Sequence, residues 1–249
     1  MTPLPHIMVA PNGARRTKVD HPELPIDISE TVATAAACWD AGATGLHAHV
    51  RDVNGTHVLD AGLYRELLAE MAKAQPNMLV QITTEAVGRY APAEQRQVVI
   101  DVMPSAVSIS LREMLAEGTA RDFYNWAHEA GISVQHILYD ADDIALLSRE
   151  VTAGRVPQDD VQGLLVLGRY TTGQRSDPDA LSPLVQQLTQ AVPDVDWAVC
   201  AFGPTETDCL KRAFDLGGKA RVGFENNLFN AAGNRAANNA ARVAEIASL

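Results

Sequence analysis

Two kinds of apolar pattern alternate along the chain. Short runs are apolar at both alternate positions, as in a strand covered on both faces. The longer runs between them return an apolar residue every three to four positions, as in a helix with one buried face. The first kind predicts strands at Ile7–Ala10, Gly45–Val50, Met78–Thr83, Ala106–Leu111, Ile132–Tyr139, Gly163–Gly168, Trp197–Phe202 and Ala220–Phe224. The second predicts helices at Ile28–Ala41, Ala61–Ala74, Pro92–Val102, Thr119–Ala130, Asp140–Ala153, Leu181–Ala191, Thr205–Leu216 and Asn234–Leu249. Asp27 followed by Glu30 has capping-box spacing, and Ala41-Gly42 and Leu216-Gly217 read as helix ends.

Eight strands, each followed by a helix, at about 31 residues per unit of a 249-residue chain, is the count that closes a parallel barrel. The predicted fold class is α/β, a (β/α)8 TIM barrel, in one domain over residues 1–249. A doubly wound open sheet commonly carries a glycine-rich phosphate loop after its first strand. Here Pro11-Asn12-Gly13-Ala14-Arg15-Arg16 follows instead, without GxGxxG spacing. No internal repeat beyond the β/α unit, no low-complexity tract and no linker interrupts the alternation.

In such a barrel the polar residues inside strands carry the information. Polar side chains confined to one parity face the interior, and near a strand's C-terminal end they face the mouth where barrel active sites form. In Leu46-His47-Ala48-His49-Val50 the apolar parity suits the helix layer, so His47 and His49 share the inner face, about 6–7 Å apart. Two imidazoles so placed can converge on one metal ion; the competing reading is a hydrogen-bonded structural pair. In the eighth strand Arg221, Gly223 and Glu225 share a parity, so Glu225 is expected to end the strand pointing inward, with Gly223 leaving open space in the barrel's centre. Glu225 is either a third metal ligand or an ion-pair partner of Arg221, and a His/His/Glu set with an open position is a common catalytic zinc composition. Gln81 and Thr83 share a parity in the third strand, as do Ser108 and Ser110 in the fourth. These hydroxyls either grip a carboxylate or carbonyl or satisfy neighbouring backbone. In the fifth strand Gln135 and His136 have opposite parities, and His136, between Val134 and Leu138, is expected on the helix side. His128 falls in a helix, while His6, His21 and His57 fall near the chain start or in loops and rank as weaker candidates.

Composition narrows the partners. Twenty basic against 31 acidic residues give a net charge of −11, a field that repels phosphate backbones and anionic lipid, so neither nucleic acid nor membrane is an expected partner. An anionic substrate then needs a local basic site, and Arg15, Arg16, Lys18, Arg51, Arg89 and Arg169 follow or flank strands; the same residues also fit plain surface charge. Cys38, Cys200 and Cys209 are odd in number and set in apolar segments, as reduced core thiols of a cytoplasmic protein would be. The N-terminus lacks the basic start and apolar run of a signal peptide, and no apolar stretch approaches the ~20 residues of a membrane span.

The segments APNGARRTKVDHPELPI, AGATGLHAHVRDVNG and GGKARVGFENNL, in this order, resemble the beta-keto acid cleavage enzymes, whose type activity is 3-keto-5-aminohexanoate cleavage. The likeness spans nearly the whole chain, and its HxHxRD and RVGxE elements are specific in combination. The resemblance implies a (β/α)8 barrel, a homo-oligomer, and Zn2+ held by two histidines and a glutamate, which fall on His47, His49 and Glu225. It implies reaction of a beta-keto acid with acetyl-CoA to give acetoacetate and a new acyl-CoA. Substrate-gripping positions then match Thr83, Thr84, Ser108 and Ser110, with Arg15 in the basic neighbourhood, and the base-activating arginine matches Arg221. Three positions depart from the pattern. Asn226 stands where an aspartate follows the zinc glutamate, Gln135 where the fifth strand carries a glutamate, and Glu85 where a glycine follows Thr-Thr. Neither amide shuttles protons at neutral pH, so the catalytic group read here comprises Arg221, Glu85, Asn226 and Gln135, with the acid/base work falling to Glu85.

Two other classes compete with this reading. An HxH strand in a barrel also resembles the metal-dependent amidohydrolases, but those place it on the first strand and add later histidines that are missing here. A diverged, non-catalytic barrel binding a small acid is the third reading, and Asn226 and Gln135 speak for it.

Overall fold

The computed structural model describes residues 2–118 and 120–249. Its centre is a closed barrel of eight parallel strands in chain order: β1 (Ile7–Val9), β2 (Gly45–Ala48), β3 (Leu79–Thr83), β4 (Ala106–Ser110), β5 (Ser133–Leu138), β6 (Gln162–Leu167), β7 (Asp196–Ala201) and β8 (Lys219–Val222). Around it run α1 (Ile28–Asp40), α2 (Ala61–Ala74), α3 (Pro92–Val102), α4 (Leu111–Met114), α5 (Arg121–Glu129), α6 (Ala141–Thr152), α7 (Leu181–Ala191), α8 (Glu206–Asp215) and α9 (Asn239–Ala247). The local causes are those in the sequence. The Asp27 side chain accepts the Glu30 N–H at the start of α1, while Glu30 reaches back to the Ile26 N–H. Gly42 and Gly217 take φ of +114° and +84° just beyond α1 and α8.

Both strand parities are buried, for different reasons. Outward residues such as Leu46, Ala48, Ile82, Val107, Ile109 and Val222 pack under the helices. The interior divides into two halves. On the β5–β7 side it is filled by Ile137, Leu164, Val166, Ala198, Cys200 and Phe202. On the β2–β4 side the register aligns Gln81 with His47, and Thr83 with Ser108 and Gln135, so polar groups fill it. The three cysteines are buried and free. No helix among the described residues is long and apolar enough to cross a membrane.

Four expectations need correction. The fourth connecting segment divides into α4 and α5, because Leu111 leaves the strand to start a helix; Thr119, the expected start of the next helix, lies outside the described residues. The last helix starts at Asn239 rather than Asn234, capped by the Asn238 side chain, which accepts the Ala241 N–H. Strand β8 ends at Val222, so Glu225 sits in the turn beyond it. Gly223 opens no space in the barrel's centre. Its φ is +144°, and a Cβ there would run into the Ala10 carbonyl oxygen, so it is a point of close approach between the β8 turn and β1.

Candidate active site

The turn that follows Gly223 brings Glu225 over the end of β2. The Glu225 N–H donates to Ala10 O at 3.1 Å, fixing the turn on β1, and the Gly13 backbone, at φ +59°, passes beneath the glutamate. A Cβ on Gly13 would come within 2.6 Å of Glu225 Cγ, so only glycine lets this carboxylate settle there. Arg51, buried, clamps the same loop by donating to the carbonyls of Asn12 and Gly13 at 3.2 and 2.6 Å, while the Asn12 amide donates to His49 O.

Three ligand-type atoms meet in this corner. His47 Nε2 lies 3.2 Å from His49 Nε2 and 3.7 Å from Glu225 Oε2, and His49 Nε2 lies 3.6 Å from Glu225 Oε1. A tetrahedral cation with N and O ligands at about 2.0–2.2 Å separates its ligand atoms by about 3.3–3.6 Å. The observed spacings, with one glutamate oxygen nearest each imidazole, come within about 0.1 Å of that range, and Glu225 Oε2 is buried without a hydrogen-bond partner. The residues therefore fit a divalent metal, and theirs is the one group of three potential ligands that converges among the described residues.

A chain of amides fixes which nitrogen faces the corner. Gln135 Nε2 donates to the Gly163 carbonyl at 3.3 Å, which can only accept. The Gln135 carbonyl oxygen is therefore left to accept from Gln81 Nε2 at 3.0 Å, and Gln81 Oε1 then faces His47 Nδ1 at 2.9 Å. His47 Nδ1 must carry the proton, and Nε2 presents its lone pair to the site. Burial, reinforced by the Arg221 charge, holds the His47 imidazole well below the ordinary histidine range, so it stays neutral. Burial alone would raise Glu225; Arg221 and the two imidazoles outweigh it and hold the carboxyl well below its usual range.

Beside the triad is a small cavity lined by Thr83, Glu85, Ile137, Tyr139, Val166, Arg169, Phe202 and Arg221 as well as the three converging residues. Arg221, buried, approaches Glu225 Oε1 at 3.9 Å, and its Nε and Nη1 have no partner. Glu85 lies between two groups: Arg169 Nη2 donates to its Oε1 at 2.9 Å, and its Oε2 is 3.9 Å from His49 Nδ1, which is otherwise unpartnered. The Thr83 hydroxyl accepts the Glu85 N–H at 3.0 Å. Arg169 stacks over Phe202, with its guanidinium carbon 4.9 Å from the ring centre.

A sequence model of the family described as beta-keto acid cleavage enzyme matches residues 6–249. The chain belongs to this family. It is 26% identical to the 3-oxoadipate:acetyl-CoA acetyltransferase of Cupriavidus necator over 252 residues, covering 98% of this chain and 87% of that protein. It is 25% identical to the 3-keto-5-aminohexanoate cleavage enzyme of Fusobacterium nucleatum over 246 residues, covering 95% of this chain and 88% of that one. Among solved structures, ObcA in binary complex with oxaloacetate superposes with a TM-score of 0.74 at 17% identity over 91% of this chain. The chain spans 63% of the length of ObcA, and the likeness is one of fold. The type I 3-dehydroquinate dehydratase of Clostridium difficile shares the barrel more distantly, with a TM-score of 0.58 at 11% identity over 89% of this chain and 84% of that one.

Within this beta-keto acid cleavage barrel the predicted residues part company. His47, His49, Glu225, Arg221, Thr83 and Glu85 meet at one cavity. Ser108 and Ser110 share the inward side with Gln135 and Ile137 by strand register, and their hydroxyls are buried and unpartnered, but they do not line that cavity. Thr84 points away and donates to Ser108 O. Gln135 also stays out of the cavity and acts on it through Gln81. Asn226 turns away altogether, its amide donating to Glu206 Oε1 at 3.2 Å and Arg221 O at 3.0 Å. Glu206 in turn receives Arg242 at 2.7 Å in a fully buried pair, and burial raises the Glu206 carboxyl above its ordinary value.

Sequence reasoning undervalued two neighbours. His57 is buried, 4.9 Å from the His49 ring, and donates through Nε2 to Glu85 O at 3.2 Å; burial, then His49, push it down to about 3, so it stays neutral. Its signal was Asn54-Gly55, a hairpin turn that folds His57 back against Arg51. Tyr139 ends the β5 parity that Ile137 shares, and it lines the cavity's apolar side.

Proposed function

We propose that the protein is a zinc-dependent acyltransferase that cleaves the carbon–carbon bond of a beta-keto acid. The beta-keto acid R–CO–CH2–COO⁻ and acetyl-CoA give R–CO–CoA and acetoacetate. The observation that carries this reading is the convergence of His47, His49 and Glu225 beside the buried Arg221, whose Nε and Nη1 have no partner, in a chain that matches the beta-keto acid cleavage model almost end to end. The named activities of the Cupriavidus and Fusobacterium relatives agree with it.

His47, His49 and Glu225 hold the metal, which supplies Lewis-acid stabilisation to the keto and carboxylate oxygens of the substrate. Arg221 lines the same cavity, with Nε and Nη1 free of protein partners, so a positive charge stands by the oxygens that gain electron density as the bond breaks. The Thr83 hydroxyl orients the substrate at the cavity wall, and Ser108 and Ser110 carry unpartnered hydroxyls on the neighbouring strand. Glu85 is the proton-transfer residue, because it is the one carboxylate lining the cavity besides the ligand Glu225 among the described residues. Ile137, Val166 and Phe202 keep the opposite wall apolar, which limits water at the reacting carbon. The reading extends to a cytoplasmic homo-oligomer, which light scattering behind a sizing column checks.

The decisive assay incubates zinc-loaded protein with acetyl-CoA and a panel of beta-keto acids, then follows acetoacetate and the new acyl-CoA together. Both products should appear in equal amounts; free acid without acyl-CoA would point to hydrolysis and sink the transfer reading. Glu85→Gln should lower turnover by about 10²–10⁴-fold while zinc content holds. Unchanged turnover would remove Glu85 from the mechanism.

A further inference from the structure

A second cavity, of 150 Å³, opens beside the metal corner and shares Glu85, Arg169 and Glu225 with it. Its remaining wall is the loop after β1, with Arg15 and Arg16, and Gln174 from the loop after β6. In a chain of net charge −11 this is an unusual concentration of cations. Both carboxylates of the wall already face positive or ligand-type partners: Glu85 the Arg169 guanidinium, and Glu225 the imidazoles and Arg221.

The arginines of the β1 loop are in a different position. Arg16 is held in place by the backbone, donating to Phe224 O at 2.6 Å and Asn226 O at 3.3 Å. Among the described residues no carboxylate lies within ion-pair distance of Arg16 or Arg15. Burial lowers the Arg16 pKa, with charges such as Glu206 and Asp20 acting against it from further off. A partly desolvated guanidinium fixed by neutral carbonyls, with a second arginine at the rim, is matched by an oxyanion arriving with the ligand.

We propose that this cavity is the subsite for a distal carboxylate, so that the substrate is a beta-keto dicarboxylic acid. The inference rests on the acyl-transfer reading and names its substrate class. A keto acid anchored by its reacting end at the His47–His49–Glu225 corner has its tail beside the shared wall, and a short tail reaches the arginines. The phosphates of CoA are an alternative anion, but they lie a long pantetheine arm away from the thioester, whereas this cavity abuts the reacting centre.

The test compares three acids of equal chain length with acetyl-CoA and the zinc-loaded enzyme: one ending in a carboxylate, one in a methyl group and one carrying an amine. The dicarboxylate should lead in kcat/KM by about 100-fold, and Arg15→Gln should shrink that lead about tenfold, through KM for the acid. Because Arg16 also braces the turn that carries Glu225, Arg16→Lys is a supplementary variant, expected to cut the same ratio with zinc content checked alongside. Equal or better turnover of the methyl-ended acid overturns the subsite while leaving acyl transfer standing. So does a rise in KM for acetyl-CoA, rather than the acid, in Arg15→Gln. If no acid of the panel reacts, the acyl-transfer reading fails first. Calorimetric binding of adipate against hexanoate then decides the subsite by itself: tighter adipate binding that weakens in Arg15→Gln supports it, and equal affinities overturn it.

Discussion

Two buried histidines, one on the inner face of β2 and one on the outer face of β5, behave as opposites. His47 and His136 each sit on a barrel strand with 1% and 3% of their surface exposed. His47 points inward, where Gln81 fixes its proton on Nδ1 and its lone pair meets His49 and Glu225. His136 points outward and packs on the Tyr124 ring of α5 at 5.3 Å; its Nδ1 and the Tyr124 hydroxyl are both unpartnered. Both imidazoles are neutral at physiological pH, since burial pushes His136 down to about 4 and His47 well below its usual range. Burial and a lowered pKa therefore do not separate a ligand from a packing residue. What separates them is the partner on the far nitrogen and a carboxylate facing the near one.

The largest expected contrast comes from removing each ring. His47→Ala should lose bound zinc and at least about 10³-fold in turnover, because it deletes a metal ligand. His136→Leu should keep both, as measured by metal analysis and acyl-CoA formation. Equal, absent zinc in wild type and His47→Ala would dissolve the comparison.

Acid exposes the second difference. Unfolded, His136 takes a proton near its ordinary value of 6.5; folded, it resists until about 4. The unfolded state binds more protons across that window, so stability is unaffected by this group above pH 6.5 and falls, by up to about 3 kcal/mol, as the pH drops toward 4. His136→Leu removes this dependence. From pH 6.5 down to 4 the urea midpoint of the wild type should fall relative to that of the variant, and a constant gap would refute the assignment.

A smaller effect probes the amide chain. Gln81→Leu leaves His47 in place but frees its tautomer, and zinc affinity should fall about 10- to 100-fold. Gln135→Leu, one bond further out, should fall less. If competition with a chelator ranks them the other way, Gln135 reaches the site by a route other than Gln81.

The barrel was legible because its strands are apolar on both parities, and His47, His49 and the outward His136 followed from parity alone. Glu225 was placed in the right corner for a wrong reason. Parity counting carried it along a strand that in fact stops at Val222, and the turn at Gly223 happens to return it to the same mouth. Gln135 was read as an altered acid/base position, yet its distance from the cavity depends on a partner, Gln81, that lies 54 residues away in sequence. Thr84 and Asn226 escaped for the same reason, since their hydrogen bonds run to Ser108 and Glu206 on other elements. Which non-local donor meets which acceptor is set by packing and is not written in local spacing.

The Asn226–Glu206 contact also constrains how this sequence can change. An aspartate at 226 would set a second carboxylate against a buried one already matched to Arg242. Asn226→Asp on its own is therefore an unfavourable step, eased in a background where the residue at 206 is neutral. The two sites are epistatic.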